Sequence, residues 1–141
     1  MKRTATALWK GSLKTGAGKL TAPGGALNNT DYSFGSRFES SAGTNPEELI
    51  AAAHAGCFAV ALSATLGEAG FTPDSLEATA EVSLENVPGK SWTITKSHLT
   101  LAAEIPGISA AQLDELAAKA KANCPVSRVL KAEISLDAKL V

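Results

Sequence analysis

Apolar and polar positions alternate with period two along several runs of this chain, and each such run predicts a strand. Ala5, Ala7 and Trp9 share one side of residues 4–9, and a turn over residues 11–18 leads to a second strand near residues 19–21. Pro23, Gly24, Gly25, Asn28 and Asn29 carry a loop to about Thr30. In residues 32–39, Tyr32, Phe34, Ser36 and Phe38 point one way and Gly35, Arg37 and Glu39 the other, which predicts a third strand. Three short strands with short connections predict an antiparallel meander. The clearest alternation sets Leu76, Ala78, Ala80, Val82 and Leu84 against Glu77, Thr79, Glu81, Ser83 and Glu85, one buried face against one wet face. Pro88 and Gly89 turn the chain into a long strand over 92–105 whose apolar set changes parity, so a bulge is expected near Lys96 or Ser97. Ala132, Ile134, Leu136, Ala138 and Leu140 mark a last strand.

Two stretches have a helical period instead. Ser109 and Gln112 form a capping box, Ile108 can staple to Leu113, and Leu113, Leu116, Ala117 and Ala120 form one apolar stripe. This helix should end near Asn123, because Cys124 precedes Pro125 and the residue before proline leaves the helical region. Pro125 then opens a short helix through Val129 or Leu130, with Cys124 as its N-cap. The other stretch, residues 43–70, predicts one long helix. Thr44 and Asn45 both suit its N-cap, Pro46 its first turn, and Gly70 its end, with Glu47 and Glu48 beside the positive end of its dipole. Between Glu48 and Glu68 it carries no charged residue, and a helix without a charged face has no face for water. The length also fits a membrane span, but the run is alanine-rich and carries His54, Gly56, Ser63, Thr65 and Gly67, so we read a core helix. A chain of 141 residues has limited material to cover it, so burial shared between two copies is expected. The order βββ-α-ββ-αα-β is an α+β pattern in one domain, residues 1–141, without internal repeats.

Composition narrows the function classes. With 45% hydrophobic and 19% charged residues the chain is globular, and 13 basic against 14 acidic residues leave a formal charge of -1. Nothing in that balance draws it to nucleic acid or to an anionic membrane, so a small-molecule partner is expected. The N-terminus is basic, but no apolar stretch of signal-peptide length follows it, which predicts a cytoplasmic protein. In a reducing compartment its two cysteines, Cys57 and Cys124, are catalytic or inert rather than a permanent bridge.

A cysteine reacts as its thiolate and needs a cause for a lowered pKa. Cys124 has one at the start of a helix. Cys57 lies mid-helix in apolar surroundings, which raise a thiol pKa, so it would need an imported cation. His54 lies one turn before Cys57 on the same face, which permits a Cys-His pair; the competing reading is a hydrogen-bonded core histidine. Those three residues are also a possible metal set, but no short-spaced Cys or His pair accompanies them, and His98 stands alone in a strand. There is no G-x-S-x-G, P-loop or dinucleotide fingerprint.

The segment GTNPEELIAAAHAGC, the RFE before it and the later NCPVS resemble the OsmC branch of the OsmC/Ohr family, and the similarity runs on through LGEAGFTP and VLKAEISLDAKL. An arginine just before the long helix is similar to the OsmC branch; the Ohr branch draws its arginine from further upstream. The resemblance implies an α+β fold with antiparallel sheets around a long central helix, in an intertwined homodimer with two sites at the subunit interface. It implies a thiol-dependent peroxidase that reduces organic hydroperoxides and hydrogen peroxide in oxidative and osmotic stress. Cys57 would be peroxidatic and Cys124 resolving. Arg37 would stabilise thiolate and peroxide, and Glu47 would hold the planar arginine. An external dithiol would reset the enzyme, with lipoyl groups the family's suggestion, and no metal, flavin or other cofactor is required.

Helical geometry adds a constraint of its own. Glu47 and Cys57 are ten residues apart, about 15 Å along a helix axis and roughly 80° around it. Glu47 cannot reach its own Cys57. If both serve one site, the glutamate comes from another copy, most simply in an antiparallel helix pair about a two-fold axis. Two other readings stay open: a non-catalytic dimer that binds an apolar ligand, and a structural disulfide between the cysteines.

Overall fold

The computed structural model describes residues 1–141. Internal contacts divide the chain into two compact units, residues 1–49 and 50–141.

The first unit is the expected meander. Strands β1 (Thr6–Lys10), β2 (Ala17–Thr21) and β3 (Thr30–Ser33) pair antiparallel in the order β1-β2-β3. Gly18 sits at its centre, opposite Trp9 on one side and Tyr32 on the other. The Tyr32 ring lies where a side chain at position 18 would be, and it meets the Trp9 ring at 5.4 Å between centroids. Glycine is required there by that close approach.

The third strand stops earlier than its alternation predicts. Residues Phe34–Phe38 form a one-turn helix, α1. Ser33 accepts a hydrogen bond from the Ser36 amide, and the Ser36 hydroxyl accepts one from the Ser33 amide, a reciprocal cap that outweighs the strand pattern. Phe34 and Phe38, four residues apart, then stack at 4.9 Å. Arg37 is therefore a helical residue and not a strand residue.

The long helix, α2 (Pro46–Glu68), has the expected signals at both ends. Asn45 is its N-cap, accepting from the Glu48 amide at 2.8 Å. At the other end Gly70 takes a left-handed φ of 83°, while Phe71 donates to Leu66 and Gly70 to Gly67. This is the Schellman arrangement, which returns two carbonyls to partners.

Most of α2 belongs to the second unit. Strands β4 (Ser75–Val87) and β5 (Ser91–Glu104) form a long antiparallel hairpin. Its turn places Pro88 before Gly89 at φ 78°, as a type II turn demands. The register shifts between Ser83 and Leu84, whose partners are Lys96 and Ile94, so Thr95 is the extra residue, next to where a bulge was expected. The capping box at Ser109 forms as predicted and starts α3 (Ala110–Asn123), followed by α4 (Pro125–Val129) with Cys124 between them. β6 (Glu133–Leu140) then pairs with β5 in parallel. The second sheet is thus mixed, which corrects the antiparallel expectation. The physical reason is the α3-α4 connection, long enough to carry the chain back to the starting end of β5.

The core of this unit joins one face of α2 (Phe58, Leu62, Leu66) to Leu99, Leu101 and Ala103 of β5 and to Leu113, Ala117 and Ala120 of α3. Deep burial of three layers fixes how α2, the sheet and α3 meet, and that fixes both cysteines. A second face of α2 does not find cover within the chain: Ala52, Ala53, Gly56, Val60, Ser63 and Ala64 stay exposed, Val60 at 72%.

Candidate functional site

Two clusters hold the residues singled out from the sequence. In the first unit, Arg37 and Glu47 are brought together. The Arg37 Nε donates to both Glu47 carboxylate oxygens, at 3.2 and 3.3 Å, and Nη2 donates to Oε1 at 2.7 Å. The carboxylate is nearly buried and the guanidinium is about one-third exposed. This fork holds the guanidinium plane by one edge and leaves Nη1 free to donate elsewhere. The plane also lies 5.2 Å from the centre of the Phe38 ring. The local fold places the pair: Ser36 donates to the Thr44 carbonyl and Asn45 to the Ser36 carbonyl, tying α1 to the first turn of α2. Beside Arg37 opens a cavity of about 250 Å³ lined by Trp9, Leu13, Tyr32, Phe34 and Phe38, a mainly apolar wall with a cation at its edge.

In the second unit, Cys57 and Cys124 are brought together across 67 positions of sequence, with 3.0 Å between their sulfurs and no bond joining them. Cys124 is fully buried, whereas Cys57 is half-buried. Cys57 projects from the middle of α2, and Cys124 is held at the junction of α3 and α4 because Pro125 ends one helix and begins the next.

The surroundings shift the two thiols in opposite directions. Burial pushes the Cys57 thiol above its ordinary value, and its contact with Cys124 adds to this, with only the Val126 amide pulling the other way. Burial would raise Cys124 as well. The surroundings of its sulfur, Cys57, Ser127 and Val126, outweigh it, so Cys124 lies below the ordinary thiol value.

His54 does not pair with Cys57. Its ring, fully buried, bridges Ser97 Oγ at Nδ1 and Ser127 Oγ at Nε2, both at 2.7 Å. Burial holds its pKa below 6.5 and keeps the ring neutral. Ser97, Val126 and Ser127 are the site residues that the sequence reading missed. Ser127 had a signal, since it belongs to the same NCPVS run as Cys124; Ser97 had none. Nowhere do three or more His, Cys, Asp or Glu side chains assemble as metal ligands.

Comparison with known proteins gives a consistent picture. A family model described as OsmC-like protein matches residues 38–139. Peroxiredoxin OsmC of Escherichia coli strain K12 is 54% identical over 132 residues, covering 94% of this chain and 92% of that protein. Organic hydroperoxide resistance protein OhrB of Bacillus subtilis strain 168 is 30% identical over 124 residues, covering 88% of this chain and 89% of its own. The crystal structure of OhrB matches with a TM-score of 0.73 at 25% identity, covering 98% of each chain. An OsmC-like protein of unknown function from Vibrio cholerae matches in fold with a TM-score of 0.78 at 17% identity, covering 99% of each chain.

Proposed function

The chain belongs to the OsmC-like family, and from that premise we propose that it is a cysteine-based peroxidase for organic hydroperoxides and hydrogen peroxide. The observation that carries this reading is the 3.0 Å approach of two free thiols, one buried and one half-buried. The Cys57 thiolate attacks the distal oxygen of the hydroperoxide, the O–O bond breaks, and an alcohol or water leaves with a proton. Cys57 is left as a sulfenic acid. The Cys124 thiolate then attacks that sulfur; the S–S bond forms, and the hydroxyl leaves as water after taking the proton that Cys124 gave up. An external dithiol, a lipoyl group in our reading, reduces the disulfide by exchange.

The first step needs the thiolate on Cys57, against the burial that raises its pKa. The cation that reverses it is Arg37, pre-oriented by Glu47. Because Glu47 and Cys57 share one helix ten residues apart, the Arg37-Glu47 pair of one chain serves the Cys57 of another. We therefore propose a homodimer of OsmC-like domains, residues 1–141, in which the uncovered face of α2 is buried. The free Nη1 edge would hydrogen-bond the peroxide, and the apolar cavity beside Arg37 would take its organic tail. We place the enzyme in the cytoplasm, in defence against oxidative and osmotic stress, without a cofactor.

Adding one equivalent of hydroperoxide to reduced protein should remove one mole of peroxide and two thiols per chain. Unchanged thiol counts would sink the proposal. Cys57→Ser should abolish turnover, and Cys124→Ser should stop at a trapped sulfenic acid. A second reading, a non-catalytic binder of apolar ligands, is favoured by the same cavity. It predicts ligand retention in Cys57→Ser and no cycling with dithiols.

A further inference from the structure

The two cysteines stand at unequal depths. Cys124 has 0% exposure and belongs to the same core as Leu113, Ala117 and Ala120 of α3, whereas Cys57 packs against that core from its edge and is half-buried. The depth of Cys124 is held by its backbone. Its amide donates to the Ala120 carbonyl at 2.9 Å, the last bond of α3, and its carbonyl accepts from the Arg128 amide at 3.1 Å, the first bond of α4. Carrying its sulfur to solvent would break both helix ends at once. With 3.0 Å between the sulfurs, a disulfide closes without drawing Cys124 out of the core, so one end of the bond is enclosed and the other lies at the core's edge.

A cycle that stores the oxidation of Cys57 as a disulfide has to reopen it. Exchange depends on which sulfur the incoming thiolate can reach and on the acidity of the thiol it expels, and the nucleophile approaches along the line of the bond it breaks. Attack on Cys124 would have to come through the core that α2, β5 and α3 share. Attack on Cys57 comes from the side away from that core. We propose that the reductant attacks the Cys57 sulfur and expels Cys124, so that Cys57 is nucleophile toward peroxide and electrophile toward the reductant. The inference rests on the peroxidase reading above and assigns the order of events in its reductive half. One thiolate of the dithiol bonds to Cys57 Sγ, the S–S bond breaks, and its electron pair leaves on Cys124, which takes a proton from solvent. The second thiol then loses its proton and attacks the reductant's own sulfur, returning Cys57 as a thiolate and releasing a cyclic disulfide; two electrons pass from the dithiol to the protein. The surroundings that hold Cys124 below the ordinary thiol value favour it as the group that leaves. Once expelled, Cys124 stays beside Cys57 and can displace the reductant again. A second thiol carried on the same reductant molecule competes with that return, and a separate monothiol does not.

Oxidised wild-type protein, made with one equivalent of hydroperoxide, would be treated with excess mercaptoethanol, quenched in acid at intervals, blocked with N-ethylmaleimide and cut with trypsin. Cleavage after Arg37, Lys90, Lys121 and Arg128 leaves Cys57 in one peptide and Cys124 in another. The mercaptoethanol adduct should lie on the Cys57 peptide and the maleimide on the Cys124 peptide, in about 10-fold excess or more over the reverse labelling, because access selects the sulfur attacked. Single-cysteine variants give a second measurement. In Cys57→Ser, Cys124 should react with dithiodipyridine about 100-fold more slowly in the folded protein than in urea, as for a group reached only by local opening. In Cys124→Ser, Cys57 should be protected far less.

An adduct on the Cys124 peptide, or equal adducts on both, would overturn the proposal, as would folded Cys124 reacting as fast as in urea. The disulfide can also be made with diamide, so the mapping does not require peroxide. If wild-type protein were to consume no peroxide, the peroxidase reading would fail while the sulfur attacked remained separately measurable. Absence of a disulfide with either oxidant would overturn both.

Discussion

Oxidation should stabilise this protein strongly, and the size of the effect follows from where its cysteines lie. A bond between Cys57 and Cys124 closes a loop of 67 positions. The chain-entropy relation for a loop of that length gives about 4 kcal/mol of stabilisation through the unfolded state. The native state has little to lose in exchange, because the sulfurs already stand within about 1 Å of bonding distance. With a urea slope of about 2 kcal/mol/M, the unfolding midpoint should rise by about 2 M. The assay is urea unfolding followed by tryptophan fluorescence on protein reduced with dithiothreitol and on protein oxidised with one equivalent of hydroperoxide. Cys124→Ser treated in the same way is the control and should not shift. An oxidised form no more stable than the reduced one would refute the reasoning. It would mean that closing the bond distorts α2 or the α3-α4 junction by as much as the loop entropy contributes, and that the sulfurs are not pre-positioned.

Three further outcomes test other parts of the molecule. Phe58→Ala removes a ring with 0% exposure next to Cys57 and should cost about 3–5 kcal/mol, read as a lowered urea midpoint of the reduced protein. His54, whose folded pKa lies below 6.5, charges more readily unfolded than folded; its contribution to stability is complete above about pH 6.5 and is lost as pH falls toward the folded value. Stability measured between pH 7 and pH 5 should therefore fall less in His54→Gln than in wild type, and parallel curves would sink this assignment. Arg37→Met should slow the first oxidation of Cys57 about 10- to 100-fold, the worth of a charge-assisted hydrogen bond, while an unchanged rate would remove Arg37 from the site.

Much of the fold was legible because its signals are local. The Ser109 capping box, the Asn45 and Gly70 ends of α2, and the alternation of β4 each depend on residues within a few positions, and each formed where expected. The errors have equally physical causes. Tyr32, Phe34, Ser36 and Phe38 satisfy period two, yet Phe34 and Phe38 also satisfy a helical spacing of four. The choice went to the reciprocal bonds of Ser33 and Ser36, which use serine where a capping box usually shows Glu or Gln. The alternation of β6 reveals a strand but carries no direction, so its parallel pairing with β5 came from the tertiary path. Arg37 and Glu47 were singled out by resemblance, and their bonding in one chain depends on α1, the element that alternation concealed. His54 was ambiguous because both its partners lie in distant segments, Ser97 in a strand and Ser127 after a proline.

The separation of the two cysteines has a consequence for how the molecule is made. A chain is synthesised from its N-terminus at about 5–20 residues per second, so the 67 positions between Cys57 and Cys124 take about 3–13 s to emerge. Through that interval Cys57 has no partner sulfur. β5, which supplies Leu99 and Leu101 to the core beneath α2, arrives only partway through it, and α3 later still. The nascent chain thus cannot form its own disulfide, and the site is assembled in one of the last packing events of the C-terminal third.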